Sequence, residues 1–165
     1  MTEESTAAAT RAAASATARG GDCVPGPSAA GVPAQPGGGR EARDQVTVCM
    51  PAEGAYLSVL RTATAGLAAR LDFTLDEIED LRIAVDEACA MLLGQAVPGT
   101  GLECTFTLGR DLMTISVSVL SQAARPPASD TFAWTVLSAL AGTVDSRLGA
   151  DDQVSIMLRK HRENG

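Results

Sequence analysis

Two adjacent carboxylates, Asp86 and Glu87, lie in the middle of a segment whose residue pattern predicts a helix. Apolar residues recur around the pair at the three- and four-residue spacing that places one helix face against a core. They are Ile78, Leu81, Val85, Ala88 and Leu92. Carboxylates in mid-helix gain nothing from the helix dipole, which favours them in the first turn. Two interpretations therefore stay open: the pair belongs to a solvated helix face, or it contributes to a functional site.

The elements that must position this pair follow from apolar spacing and from turn residues. Thr74 and Glu77 form a capping box that begins the helix, and a Pro-Gly cluster at 98–101 follows its end. The predicted order is strand, helix, helix, strand, strand, helix, strand. The ranges are 46–50, 54–70, 74–94, 102–108, 112–120, a third helix with Phe132, Val136, Leu140 and Val144 on one stripe, and 154–158. Neighbouring antiparallel strands with helices on one face predict an α+β two-layer sandwich.

Composition divides the chain into three parts. Residues 1–44 are rich in Ala, Gly and Pro and contain almost no large apolar side chain, so we expect a disordered tail there. Residues 45–160 form one domain in this prediction. Residues 161–165 are predicted to be a charged C-terminal tail, which contains the only histidine, His161.

Charge and cysteine usage restrict the classes of partner. The formal net charge of −7 and the absence of a basic stripe argue against direct binding of nucleic acid, and they suit a basic protein partner. The chain begins with no secretory signal and has no apolar run of membrane-spanning length, so we expect a cytoplasmic protein that does not enter a membrane. The four cysteines show no metal-ligand spacing, and Cys89 and Cys104 are predicted to be buried.

Two segments resemble the RsbW/SpoIIAB family of anti-sigma factors. The first, residues 81–89, reads LRIAVDEAC and is similar to the first ATP-binding box of that family. The second, residues 132–141, reads FAWTVLSALA and is similar to a helix of the actinobacterial, UsfX-like branch. The resemblance extends over about 46–160. It implies the compact form of the histidine-kinase-like (Bergerat, GHKL) ATPase fold, and it implies the serine kinase activity known in the family.

The same resemblance implies an ATP site whose residues are altered in this chain. Glu87, beside Asp86, falls on the family's catalytic glutamate, but Met91 stands where an asparagine ligates magnesium. Ser121 replaces the aspartate that reads adenine, and Trp134 lies in the final, phosphate-binding box. A thioether is a poor ligand for a hard cation. The prediction is a degenerate site without a protein-held metal, at which binding of ATP and magnesium and kinase activity stay open.

The family's partner contacts are carried over onto the first helix. Arg61 matches an arginine that meets both the sigma factor and its antagonist, and Leu57 and Leu60 flank it. The implied function is sequestration of an alternative sigma factor of stress response or development, reversed by a STAS-domain anti-anti-sigma protein. A homodimer through strand 46–50 and the first helix is also expected. Two alternatives remain: an active serine kinase that phosphorylates its antagonist, and a regulatory scaffold without a sigma partner.

Overall fold

The computed structural model describes residues 44–163, so the tail predicted for residues 1–44 lies outside the described residues except for Asp44. Five strands and three α-helices form this part of the chain. The strands are β1 (Asp44–Pro51), β2 (Gly101–Leu108), β3 (Leu112–Leu120), β4 (Thr143–Leu148) and β5 (Gln153–His161). The helices are α1 (Leu57–Arg70), α2 (Leu75–Leu93) and α3 (Phe132–Ala141), with short 3₁₀ turns at Gly54–Tyr56 and Ala150–Asp152.

The strands form one antiparallel sheet in the order β1-β2-β3-β5-β4, so β1 and β4 are its edges. Side chains alternate across the sheet: Met113, Ile115 and Val117 of β3 are fully buried, whereas Thr114 and Ser116 between them are partly exposed. Because alternate residues of a strand point to opposite faces, only one face carries the apolar set, and the helices pack there. The predicted α+β two-layer sandwich is confirmed.

Helix α2 lies at the centre of the helical layer and contacts α1, α3, β3 and β5. All five residues of its predicted apolar stripe are buried, as are Ala84 and Cys89. The capping box is present: the Thr74 hydroxyl accepts the Glu77 backbone N–H, and the Glu77 carboxylate accepts the Thr74 backbone N–H at 2.7 Å. None of the helices within 44–163 has the length and apolar character needed to cross a bilayer.

The predicted third helix is too long and its buried face was misassigned. Helix α3 ends at Ala141 because Gly142 takes φ = +79°, a conformation that favours glycine, and residues 143–148 form strand β4 instead. Phe132, predicted to lie on the core stripe, is 84% exposed, whereas Leu137 and Ala141 are fully buried. Residues 143–148 therefore form a strand after Gly142, although Leu140 and Val144 are spaced as on one helix face.

The last strand reaches beyond its predicted end, through His161 rather than Leu158. The two residues that follow are anchored to the domain. Arg162 donates to the carboxylate of Asp111 at 2.9 Å, and the backbone N–H of Glu163 donates to Glu77 Oε1 at 2.7 Å. The segment predicted as a charged tail thus contains Arg162, which bonds to the β2–β3 turn, and Glu163, which bonds to the start of α2.

Glu77 joins the start of α2 to the end of β5, and its charge should matter for stability. Its side chain is only 5% exposed. Burial by itself would raise its pKa, but hydrogen bonds from the Glu163 and Thr74 backbone N–H groups, the Thr74 hydroxyl and the charge of Lys160 together hold the pKa below the ordinary value of 4.5. The ionised carboxylate is therefore the form that the folded state stabilises.

We predict that Glu77→Gln lowers the free energy of unfolding at pH 7 by about 1–2 kcal/mol, because the charged acceptor of two backbone N–H groups is lost. A carboxylate whose pKa is lowered on folding stabilises the protein above pH 4.5, and this contribution disappears as the pH falls through the folded-state value. The difference between wild type and variant, measured by urea unfolding, should shrink below about pH 4. Asp76→Asn, an exposed position in the same turn, is the control; equal effects from both variants would contradict the prediction.

Candidate functional site

Asp86 and Glu87 are consecutive on α2, but the structure gives them different surroundings. The Asp86 carboxylate faces α1, where its Oδ2 accepts a hydrogen bond from Arg61 Nη1 at 3.2 Å. Side chains of neighbouring helix positions point about 100° apart, so Asp86 and Glu87 do not converge on one cleft. The role of Asp86 in an ATP site stays a prediction; in the structure its carboxylate is bound to Arg61, the residue predicted to contact a partner.

Glu87 is half-buried, and its carboxylate makes no hydrogen bond or ion pair within residues 44–163. One helical turn later, Met91 is half-buried and packs against the core. Positions four apart share a helix face, as the family's glutamate and metal ligand require. The geometry of that face is kept, but the second position offers a thioether in an apolar environment rather than an oxygen ligand.

Ser121, the position predicted for adenine recognition, is occupied by the protein itself. Its side chain is 4% exposed, and its hydroxyl donates to Gln95 Oε1 at 3.0 Å and accepts the Ala123 backbone N–H at 3.1 Å. The Gln122 side chain likewise donates to the carbonyl of Ala96 at 2.8 Å. These bonds tie the segment after β3 to the segment after α2, so the polar groups that could have read a base are already satisfied.

Trp134, the residue predicted in the phosphate-binding box, lies in the first turn of α3 and packs its ring partly against the core. Its backbone N–H donates to the side chain of the N-cap Thr131 at 3.2 Å. Helix N-termini bind phosphate through N–H groups that lack a protein partner. Here the Thr131 hydroxyl accepts the hydrogen bond of one of those N–H groups, as in an ordinary capped helix.

The residues at this place do not fit magnesium and ATP. The position for the metal ligand is a packed methionine, Ser121 is bonded to Gln95, and the start of α3 is capped by Thr131. Within 44–163, no group of three or more His, Cys, Asp or Glu side chains is arranged to hold a metal ion.

The predicted partner-binding residues on α1 differ in accessibility. Arg61 is 44% exposed at the side chain, and Leu57 is half-buried against the core. Leu60 is fully buried in the core, so its side chain is not exposed to a partner in this conformation, and the partner role of Leu60 stays a prediction. The reason is helical spacing: Leu60 shares the inward face with Thr64 and Ala68, whereas Arg61 is rotated toward α2.

A groove that the sequence pattern does not reveal lies between β1 and α1, with a volume of about 630 Å³. It combines apolar and small side chains from both elements. The lining residues are Val46, Ser58, Val59, Thr62, Ala63, Gly66 and Leu67. Val59 is 49% exposed at this groove, and none of the lining residues carries a charge.

The buried cysteines play no part in these surfaces. Cys89 on α2 and Cys104 on β2 are fully buried, as predicted. Burial raises the pKa of the Cys89 thiol to about 12, and it raises that of Cys104 still further. A thiol must ionise to act as a nucleophile, so both behave as small apolar side chains.

Known proteins similar to this chain are RsbW proteins. No protein-family model matches it. The chain is 32% identical over 90 residues to the anti-sigma-F factor RsbW of Mycobacterium tuberculosis, covering 54% of each chain. It is 36% identical over 76 residues to the serine-protein kinase RsbW of Halalkalibacterium halodurans, covering 46% of this chain and 47% of the relative. To the serine-protein kinase RsbW of Bacillus subtilis it is 46% identical over 46 residues, 28% of this chain and 29% of the relative.

The matches cover at most about half the length of these curated relatives. A crystal structure of the RsbU and RsbW domains of a Mycobacterium tuberculosis protein superposes with a TM-score of 0.57 at 13% identity, over 74% of this chain and 33% of the other. At that identity the superposition shows a shared fold. The resemblance of this chain to RsbW-type anti-sigma factors is therefore confirmed in sequence, and its fold is one found in a structure that contains an RsbW domain.

Proposed function

We propose that this protein sequesters an alternative RNA polymerase sigma factor of stress response or development, and that a STAS-domain anti-anti-sigma protein releases it. The observation that carries the proposal is Arg61, which the structure places at the surface of α1 with most of its guanidinium donors free. Similarity to an anti-sigma-F factor over 90 residues supports the same conclusion.

Sequestration fits a domain in which Met91 packs against the core, Ser121 is bonded to Gln95 and Thr131 caps α3, so that these residues offer no ligand to a nucleotide. Blocking a sigma factor needs only affinity and a surface that competes with polymerase, and neither requires a metal or a phosphate. Arginine suits such a surface because its planar fork pairs with carboxylates and is enriched at the centres of interfaces. The acidic character of the chain, with a net charge of −7, supports rapid association with a basic partner.

Release follows if the antagonist binds residues that overlap the sigma surface. Both partners would then contact Arg61, so the two complexes exclude each other. Competition at one surface exchanges partners without covalent chemistry. The relative concentrations and affinities of the two partners decide which complex forms.

We predict that Arg61→Glu weakens binding of the sigma factor by roughly 100-fold, because the charge reversal opposes a partner carboxylate at the centre of the interface. Purified alternative sigma factors of the source bacterium should be tested by surface plasmon resonance with and without Mg-ATP. Arg70→Glu is the matched control, since Arg70 ends the same helix and is 64% exposed. Unchanged binding by Arg61→Glu would contradict the assignment, and no binding by any sigma factor would favour the scaffold alternative.

An active serine kinase is the second candidate, and Glu87 is the observation that favours it. Its half-buried carboxylate has no partner in the described chain and keeps the position of the family's catalytic glutamate. The other predicted ATP-site positions argue against kinase activity, because Met91, Ser121 and Trp134 supply none of the ligands that phosphoryl transfer needs.

We predict that the protein binds Mg-ATP no more tightly than about 1 mM, and that it transfers no phosphate to a serine-bearing STAS antagonist. Calorimetry measures the first and a radiolabelled transfer assay measures the second, with an active RsbW kinase as the positive control. Magnesium-dependent binding in the micromolar range that Glu87→Gln abolishes would support the kinase and overturn the sequestering mechanism without nucleotide.

The groove between β1 and α1 supports the further proposal that two copies associate there. Strand β1 is an edge strand, and an edge presents unpaired backbone groups to another chain. An antiparallel strand pairs with its own copy about a two-fold axis, which is the commonest symmetry of soluble dimers. The uncharged lining of the groove offers no like-charge repulsion between copies.

We predict that Val59→Glu dissociates the dimer, because association would bury a carboxylate without a partner. Sedimentation equilibrium should give the monomer mass for the variant and twice that mass for the wild type. Ile83→Glu is the matched control, since Ile83 on α2 is exposed to nearly the same extent, 51% against 49%. A monomeric wild type would refute the dimer, and dissociation by both substitutions would refute its location.

A further inference from the structure

We infer that Asp86 is a positioning residue that holds the Arg61 guanidinium in the orientation in which it receives a carboxylate of the bound protein. The inference rests on the proposed function, because it assigns a role within the same partner surface. It concerns a residue that the sequence placed in a nucleotide site and that the structure places against α1.

The contact between Arg61 and Asp86 joins two helices and uses little of the arginine. Only Nη1 bonds to Asp86 Oδ2, at 3.2 Å, and the guanidinium makes no other hydrogen bond within the described residues. A guanidinium has five N–H donors in a rigid plane. One bond to Asp86 therefore restricts the orientations of the guanidinium and leaves donors for the two-bond pairing that arginine forms with carboxylates.

The Asp86 carboxylate is partly buried rather than fully solvated. Its side chain is 33% exposed overall, but its Oδ1 atom is buried and has no hydrogen-bond partner. One helical turn earlier, the Nε atom of Arg82 is likewise buried without a partner, while its Nη1 pairs with Glu79. A carboxylate oxygen that is buried without a hydrogen-bond partner lowers the free energy of unfolding. Stabilisation of the fold is therefore not the role of an aspartate at position 86.

The charge arrangement agrees with an acidic group on the partner. Arg61 bonds to Asp86 through one guanidinium nitrogen and its side chain is 44% exposed, so a positive group remains accessible beside Asp86. A long side chain that is already ordered loses less conformational entropy when it binds. Asp86 should thus lengthen the life of the complex by ordering Arg61 in advance, rather than by touching the partner.

The test is a double-mutant cycle between Asp86→Asn and Arg61→Ala. The probe is the purified sigma factor that binds the wild-type chain, and the measurement is surface plasmon resonance without nucleotide. We expect Asp86→Asn to weaken binding about 3- to 10-fold, mostly through faster dissociation. In the Arg61→Ala background the same substitution should have no effect, because the arginine that it positions is absent.

Two further variants separate positioning from a structural role. Glu79→Gln, which alters the neighbouring pair with Arg82, should leave the affinity unchanged. Asp86→Glu keeps the charge and should restore at least part of the affinity that asparagine loses. Urea unfolding of Asp86→Asn should show no loss of stability, since the substitution removes a buried charge that lacks a second partner.

Unchanged or tighter binding by Asp86→Asn, or an equal loss in both backgrounds, would overturn the inference while the sequestering function stands. If no sigma factor binds the wild-type chain, the proposed function and this inference fall together.

Discussion

The packing of α2 on the sheet is the interaction on which the remainder of this domain depends. The helix buries eight residues along its length and lies between α1 and α3. The Glu77 carboxylate of its capping box also accepts the backbone N–H of Glu163, so one carboxylate binds both the start of the helix and the segment that follows β5. Both α1 and α3 pack against α2. The rotation of α2 about its own axis therefore determines which of its side chains face a neighbouring helix and which face solvent.

That rotation explains why the adjacent carboxylates of Asp86 and Glu87 lie in different surroundings. The buried stripe of α2 fixes the core side, which turns Asp86 toward α1 and leaves Glu87 on the neighbouring part of the surface. Asp86, which meets the proposed partner surface on α1, and Glu87 with Met91, the predicted ATP-site residues, therefore lie on different faces of α2. In the proposed function, the partner surface does not depend on nucleotide ligands, because different faces of α2 serve the two.

The hydrogen bonds around Ser121 join two segments of the chain. The Ser121 hydroxyl donates to Gln95 Oε1 and the Gln122 side chain donates to the carbonyl of Ala96, so the segment after β3 is tied to the segment after α2. Thr131 caps α3 in the same manner. The Ser121, Gln122 and Thr131 side chains thus have partners within the chain, which is the ordinary outcome for polar groups near a core.

The sequence by itself determined the elements whose apolar residues repeat regularly: the stripe of α2, its capping box and the alternation of β3 all appear as expected. It also determined the family resemblance, because short motifs survive in the chain order. It did not determine strand β4, since Gly142 ends α3 only through a backbone conformation that the spacing of Leu140 and Val144 conceals. The pairing of Arg61 with Asp86 and the groove beside β1 were decided by tertiary structure alone. Each depends on how helices from distant parts of the chain are rotated against one another, and that rotation is set by the whole core rather than by any local pattern.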